Sequence, residues 1–145
     1  MRGAARGLFG GFLLASATIL GEAAGAQAPA GPAAVPTDAK KAKSPVASSP
    51  ASIEAGAQLY QKYCRFCHGN TGKADSPMAP KTMQPSDLTD AHWVRGSSEG
   101  EIFWIIQNGA PPKYDMKGLK GKISDTDMWN LVNFVRSLGG VPKSH

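Results

Sequence analysis

The chain contains only two cysteines in 145 residues, Cys64 and Cys67. A framework of several disulfides is therefore excluded, and one bridge across two intervening residues would close too small a loop to staple much. Histidine is equally scarce. His92 and His145 stand far from the cysteines, so no second Cys/His pair completes a four-ligand zinc site. The alternation of a β-rich sequence is missing around the cysteines, which argues against a thioredoxin-like dithiol in a βαβ setting. No internal repeat is present. No activated nucleophile with a neighbouring base and no paired carboxylates gather near Cys64 and Cys67, so the sequence does not read as an enzyme on its own. Charge of one sign is not in large excess. Sixteen Lys+Arg face eleven Asp+Glu, and three of the positives, Lys40, Lys41 and Lys43, fall in one short stretch. That balance does not indicate a nucleic-acid partner.

The ends differ from the middle. Met1 to Ala26 begins with Arg2 and Arg6, continues with the apolar run from Leu8 to Leu20, and closes on small residues with Ala24-Gly25-Ala26 as a cleavage pattern. This order is that of a secretory signal peptide, and the apolar run is shorter than the ~20 residues of a spanning helix. The protein is expected to be exported, periplasmic in a bacterium, and associated with a membrane only if this leader is retained. Residues 27–52 are rich in Ala, Pro, Ser and Lys and nearly devoid of large apolar side chains. They read as a disordered or semi-extended linker. The folded part is expected over 53–140, followed by a tail at 141–145. A domain this small usually needs a metal, cofactor or disulfide to be stable.

The two cysteines belong to the run Cys64-Arg65-Phe66-Cys67-His68, the C-x-x-C-H pattern of covalent haem attachment. Two thiols at this spacing can reach the two vinyl groups on one side of a porphyrin and form thioethers. The adjacent imidazole of His68 is then held beneath the iron as an axial ligand. Such attachment takes place outside the cytoplasm, in agreement with the leader.

Around the motif the pattern is helical. Ser52 is a candidate cap for a helix starting at Ile53 and running into Cys64. Gly69-Asn70-Thr71-Gly72 breaks it, and Pro77, Pro80 and Pro85 make the next stretch irregular. Ser98-x-x-Glu101 forms a capping box before Ile102, Phe103, Ile105 and Ile106, with Gly109 as the stop. Ser124-x-x-Asp127 opens a last helix with the stripe Met128, Leu131, Val132, Val135 and Leu138, ended by Gly139-Gly140. The expected fold is all-α, about three main helices wrapped around one cofactor.

From Ala55 to Leu138 the chain resembles the class I, mono-haem cytochrome c domain family. The matching features are Gly56-x-x-Leu59-Tyr60, Cys64-x-x-Cys67-His68-Gly69, Asp87-Leu88-Thr89, Gly100-Glu101-Ile102-Phe103, Asn108-Gly109 and Trp129-x-Leu131-Val132-x-Phe134. The resemblance implies one haem c bound through Cys64 and Cys67, with iron held by His68 and by a methionine in the loop before the last helix. Met116 occupies that loop, followed by Lys117 where many relatives have proline. Met78 and Met83 are its rivals, and Met128 reads as helix core. The resemblance further implies a close crossing of first and last helices at Gly56, packed by Tyr60, Leu131 and Phe134. It also implies a carbonyl partner for the His68 ring, for which Pro77 is a candidate. Trp93 and Arg95 read either as partners of the haem carboxylates or as core and solvated charge. Phe66 and Trp104 read as haem shields or packing residues, and His92 as a surface residue.

The implied function is one-electron transfer between protein redox partners. Alternatives are a haem-bearing subunit of a multi-component dehydrogenase or oxidase, and a gas- or peroxide-binding haem protein. Lys113, Lys117, Lys120 and Lys122 surround the methionine loop and would steer acidic partner surfaces toward it.

Overall fold

A computed structural model of the chain describes residues 34–139. The expected leader, the first part of the linker and the tail at 141–145 lie outside the described residues. Among the described residues the structure is all-α, with no named strand. The helices are α1 (Pro50–Tyr63), α2 (Arg65–His68), α3 (Glu99–Asn108) and α4 (Asp125–Ser137), preceded by one 3-10 turn at Ala39–Lys41.

Helix α1 starts earlier than the sequence pattern suggests. Ser49, not Ser52, is the N-cap, accepting from the Ser52 N–H at 3.2 Å. Pro50 takes the first helical position, where its missing N–H and fixed φ carry no penalty. Ser52 is thereby freed for a buried role. Its hydroxyl donates to Asn130 Oδ1 at 2.7 Å and accepts from Asn133 Nδ2 at 2.8 Å. The caps of α3 and α4 lie where the sequence puts them. Ser98 and Glu101 complete a reciprocal capping box, and Ser124 Oγ accepts from the Asp127 N–H.

Helices α1 and α4 form the principal crossing. A Cβ on Gly56 would overlap the Asn130 carbonyl oxygen and press on Phe134 Cβ at 2.7 Å, so only glycine lets the two backbones approach this closely. Tyr60 and Phe134 meet beside it with ring centroids 5.1 Å apart. Tyr60, Met128, Leu131 and Val132 are fully buried, and Ile102 and Ile106 close the core from α3. Phe103 stacks on Trp129 at 4.0 Å.

The expectation of a disordered linker up to residue 52 is corrected over its described part. Residues 34–49 lie as a strap against the helices. Ala39 is buried, and Gly100 of α3 is so close that a Cβ there would overlap the Ala39 carbonyl oxygen and meet Ala42 Cβ at 2.7 Å. The Ser44 N–H donates to Glu99 Oε2 at 3.2 Å, and Asn133 Nδ2 reaches the carbonyls of Val46 and Ala47. Small side chains allow this: alanine and serine suit a backbone that packs directly on a helix, although they form no apolar stripe.

Candidate functional site

The end of α1 delivers the C-x-x-C-H run. The Cys64 N–H closes the helix on the Tyr60 carbonyl, and α2 continues as one turn in which the His68 N–H bonds the Cys64 carbonyl at 3.0 Å. Residues three and four apart share a helical face, so Cys64, Cys67 and His68 are presented by one turn. Gly69 then reverses the chain at φ 79°, and Tyr60 Oη donates to its carbonyl at 2.7 Å. That buried bond ties the motif's exit to the helix crossing.

Cys64 and His68 line a cavity of about 780 Å³, part of it open to solvent. Its walls come from Tyr60, Ile102, Ile105, Ile106, Leu131 and Val135 on the helical side. The loop over 86–96 supplies a second wall and includes Leu88, His92, Trp93 and Arg95; Ala110 and Met116 supply a third. Met116 thus faces the same space as Cys64 and His68. Cys67 is half-buried and is not part of the lining. Met78 is 49% exposed, Met83 half-buried, and neither lines the cavity; Met128 is core at 1% exposure.

His68 Nδ1 lies 2.9 Å from the Ser86 carbonyl oxygen. A carbonyl only accepts, so Nδ1 carries the proton and Nε2 keeps its lone pair. The carbonyl partner is therefore Ser86 and not Pro77. Pro77 lies in a bend whose neighbour Ser76 donates its hydroxyl to the Phe66 carbonyl, serving the motif's backbone and leaving the ring alone. Burial lowers the His68 pKa, partly opposed by the Ser86 bond, which favours the neutral ring a metal requires. Burial, with the nearby Cys67, pushes the Cys64 thiol up to about 12. Burial also raises the Tyr60 phenol, keeping it a neutral donor.

The loop around Ser86 is held by local bonds. The Leu88 N–H donates to the Gly72 carbonyl at 2.7 Å, and Asp87 Oδ1 accepts both the N–H and the hydroxyl of Thr89. The methionine loop is closed on itself. Ala110 N–H bonds the Met116 carbonyl at 3.0 Å, and Tyr114 N–H bonds the Ala110 carbonyl at 2.8 Å. Arg95 Nε donates to the Pro111 carbonyl at 2.7 Å, linking the two loops.

Phe66 is 52% exposed and Trp104 half-buried, and neither lines the cavity. Lys113, Lys117, Lys120 and Lys122 are all exposed around the methionine loop. His92 is exposed, in keeping with its reading as a surface residue, and it also borders the cavity. Ser86 and the link between Arg95 and Pro111 escape a reading of the sequence because each works through a backbone carbonyl, which leaves no side-chain signature.

The cavity fits a flat, largely apolar macrocycle. Its lining is mostly aliphatic and aromatic, and its sulfur and imidazole donors converge. Among the described residues no helix is long and apolar enough to cross a membrane.

Residues 51–135 match the family model for cytochrome c oxidase, cbb3-type, subunit III. The chain is 37% identical over 93 residues to a cbb3-type cytochrome c oxidase subunit, FixPc, from Rhizobium leguminosarum bv. viciae, covering 64% of this chain and 30% of that protein. It is also 37% identical over 71 residues to the quinohemoprotein alcohol dehydrogenase ADH IIB of Pseudomonas putida, covering 49% of this chain and 10% of the other. Among solved structures, cytochrome cL of Methylophaga aminisulfidivorans shares the fold with a TM-score of 0.50 at 22% identity, covering 62% of this chain and 57% of that one. The chain thus spans less than a third of the length of these two curated relatives.

Proposed function

Because the chain belongs to the family of cytochrome c oxidase, cbb3-type, subunit III, we propose that it is an exported one-electron carrier holding a single haem c. Cys64 and Cys67 would bond the macrocycle through sulfur, and His68 and Met116 would be the axial ligands. When bound, the haem supplies an iron that changes oxidation state by one electron. The residues do the rest. His68, fixed by the Ser86 carbonyl, offers Nε2, and such a bond orients the imidazole and raises its basicity. Met116 offers a neutral thioether, which raises the reduction potential relative to a second imidazole. The apolar helical wall would shield that side of the macrocycle from water. The protein would act on its partners by electron transfer.

The observation that carries the reading is the convergence of Cys64, His68 and Met116 on one cavity while the Nδ1 face of His68 is taken by a backbone carbonyl. The test is expression of the full chain with a cytochrome maturation system, followed by a pyridine haemochrome spectrum and intact mass. One haem per chain is expected, surviving denaturation, and a Cys64→Ser, Cys67→Ser double variant should lose it. A colourless chain of bare-polypeptide mass would end the proposal.

A second reading, that the domain serves inside a larger oxidase or dehydrogenase, is favoured by the nature and length of the two curated relatives. Stable co-purification with a large partner would select it over a free carrier. In either case the exposed Lys113, Lys117, Lys120 and Lys122 would steer acidic partners. Stopped-flow electron transfer with an acidic redox protein should slow as salt rises, and a salt-independent rate would remove the steering role.

A further inference from the structure

Two loops, 86–96 and 110–116, both line the cavity, and one side chain joins them. Arg95 leaves the loop that carries Ser86 and donates from Nε to the Pro111 carbonyl at 2.7 Å. Pro111 adjoins Ala110, whose N–H bonds the Met116 carbonyl, and whose carbonyl accepts from the Tyr114 N–H. Gly109 and Gly118 bracket this closed lobe. A Cβ on Gly109 would meet the Met116 carbonyl oxygen at 2.6 Å, and one on Gly118 would overlap the Gln107 carbonyl. The lobe is thus seated on α3 at its two ends, while its outer turn at 110–114 meets the 86–96 loop through Arg95.

We propose that Arg95 is a positioning residue for Met116, a strut that holds the methionine loop at a fixed distance from the wall carrying the His68 partner. The inference rests on the reading of Met116 as an axial ligand. A guanidinium is well suited to this role, because it is always charged and its planar fork keeps N–H groups in reserve when Nε is engaged. A hydrogen bond from a charged donor is among the stronger kind, and removing it deletes a direct link between the outer turn and the loop that carries Ser86. The loop would then open more often, and the thioether would leave the iron more often with it.

The test uses full-length, haem-loaded protein and two readouts that overall stability does not move: the near-infrared band of methionine-ligated ferric haem, and the rate of carbon monoxide binding to the ferrous form, which requires the methionine to leave. Arg95→Ala is expected to weaken the band and to raise the carbon monoxide rate about tenfold, the effect on an opening equilibrium of losing one charge-assisted hydrogen bond. Arg95→Lys should recover part of both, since an ammonium can reach the carbonyl without the fork. Gly56→Ala, which loosens the α1–α4 crossing and not the Met116 loop, should lower the unfolding midpoint and leave the carbon monoxide rate unchanged. Wild-type values in Arg95→Ala would overturn the strut, as would an equal acceleration in Gly56→Ala. Met116→Ala separates the two ideas. If it retains the band, or the wild type lacks one, the ligand assignment fails and the strut with it. If it abolishes the band while Arg95→Ala leaves it intact, only the strut is wrong.

Discussion

At the scale of the residue, Asp87 shows how a carboxylate can serve the half-buried His68 ring. It follows Ser86, whose carbonyl holds His68, and its Oδ1 accepts the Thr89 hydroxyl at 2.6 Å and the Thr89 N–H at 2.7 Å. Those bonds, led by the hydroxyl, hold the Asp87 carboxyl below the usual carboxylate range. A group whose folded pKa is depressed stabilises the fold above its unfolded value, ~3.9, and loses that contribution as pH falls through the folded value. The midpoint difference between wild type and Asp87→Asn should therefore be constant near neutrality and shrink below about pH 4. A difference that widens on acidification would contradict this account. The same neighbourhood explains what is legible in the sequence. Cys64, Cys67 and His68 can be read because their roles belong to side chains at a fixed spacing. The Ser86 carbonyl cannot, because any residue supplies one, and proline is the wrong guide to which. His92 is exposed as its isolation in the sequence suggests, and only the fold of the 86–96 loop brings it to the edge of the cavity as well.

At the scale of the element, local rules hold where a side chain and the backbone agree. Ser98 with Glu101, and Ser124 with Asp127, cap α3 and α4 as their spacing indicates. Ser98→Ala should cost ~1 kcal/mol in denaturant unfolding, since it removes the cap that accepts from the Glu101 N–H; no measurable change would mean the box is not formed in solution. Resemblance assigns Gly56 to the α1–α4 crossing, and its surroundings bear this out. Adding a methyl group there must push one backbone from the other, so Gly56→Ala should destabilise the folded protein by ~1–3 kcal/mol or more. An unfolding midpoint equal to wild type would show that the helices do not approach this closely. The start of α1 is displaced by three residues from its expected place because Pro50 reads as a helix breaker. It is a starter here, and only the extended conformation of Ser49 before it reveals which.

At the scale of the whole molecule, the unexpected component is the strap over 34–49. Composition alone marks it as a linker, because nothing in it can form a core of its own. It has no need of one. Buried Ala39, the Ser44 bond to Glu99 and the bonds that Asn133 Nδ2 donates to the Val46 and Ala47 carbonyls fasten it to α3 and α4. The tightest point is Gly100, where a Cβ would overlap the Ala39 carbonyl oxygen. Gly100 lies in the first turn of α3, where glycine is otherwise a poor choice, up to ~1 kcal/mol worse than alanine in a helix interior. The strap and the glycine therefore make opposite demands that a double-mutant cycle can separate. In the full chain, Gly100→Ala should destabilise by ~1–3 kcal/mol, as overpacking does. In a chain lacking residues 34–44, which keeps the Ser49 cap and the Val46 and Ala47 carbonyls, the same substitution should be neutral or slightly stabilising. The deletion alone should lower the unfolding midpoint while leaving the haem spectrum unchanged, since no strap residue lines the cavity. Additive effects would mean that the strap is not seated on α3 in solution. Opposite signs in the two backgrounds would show that the segment least like a fold in the sequence is the reason the first turn of α3 holds a glycine.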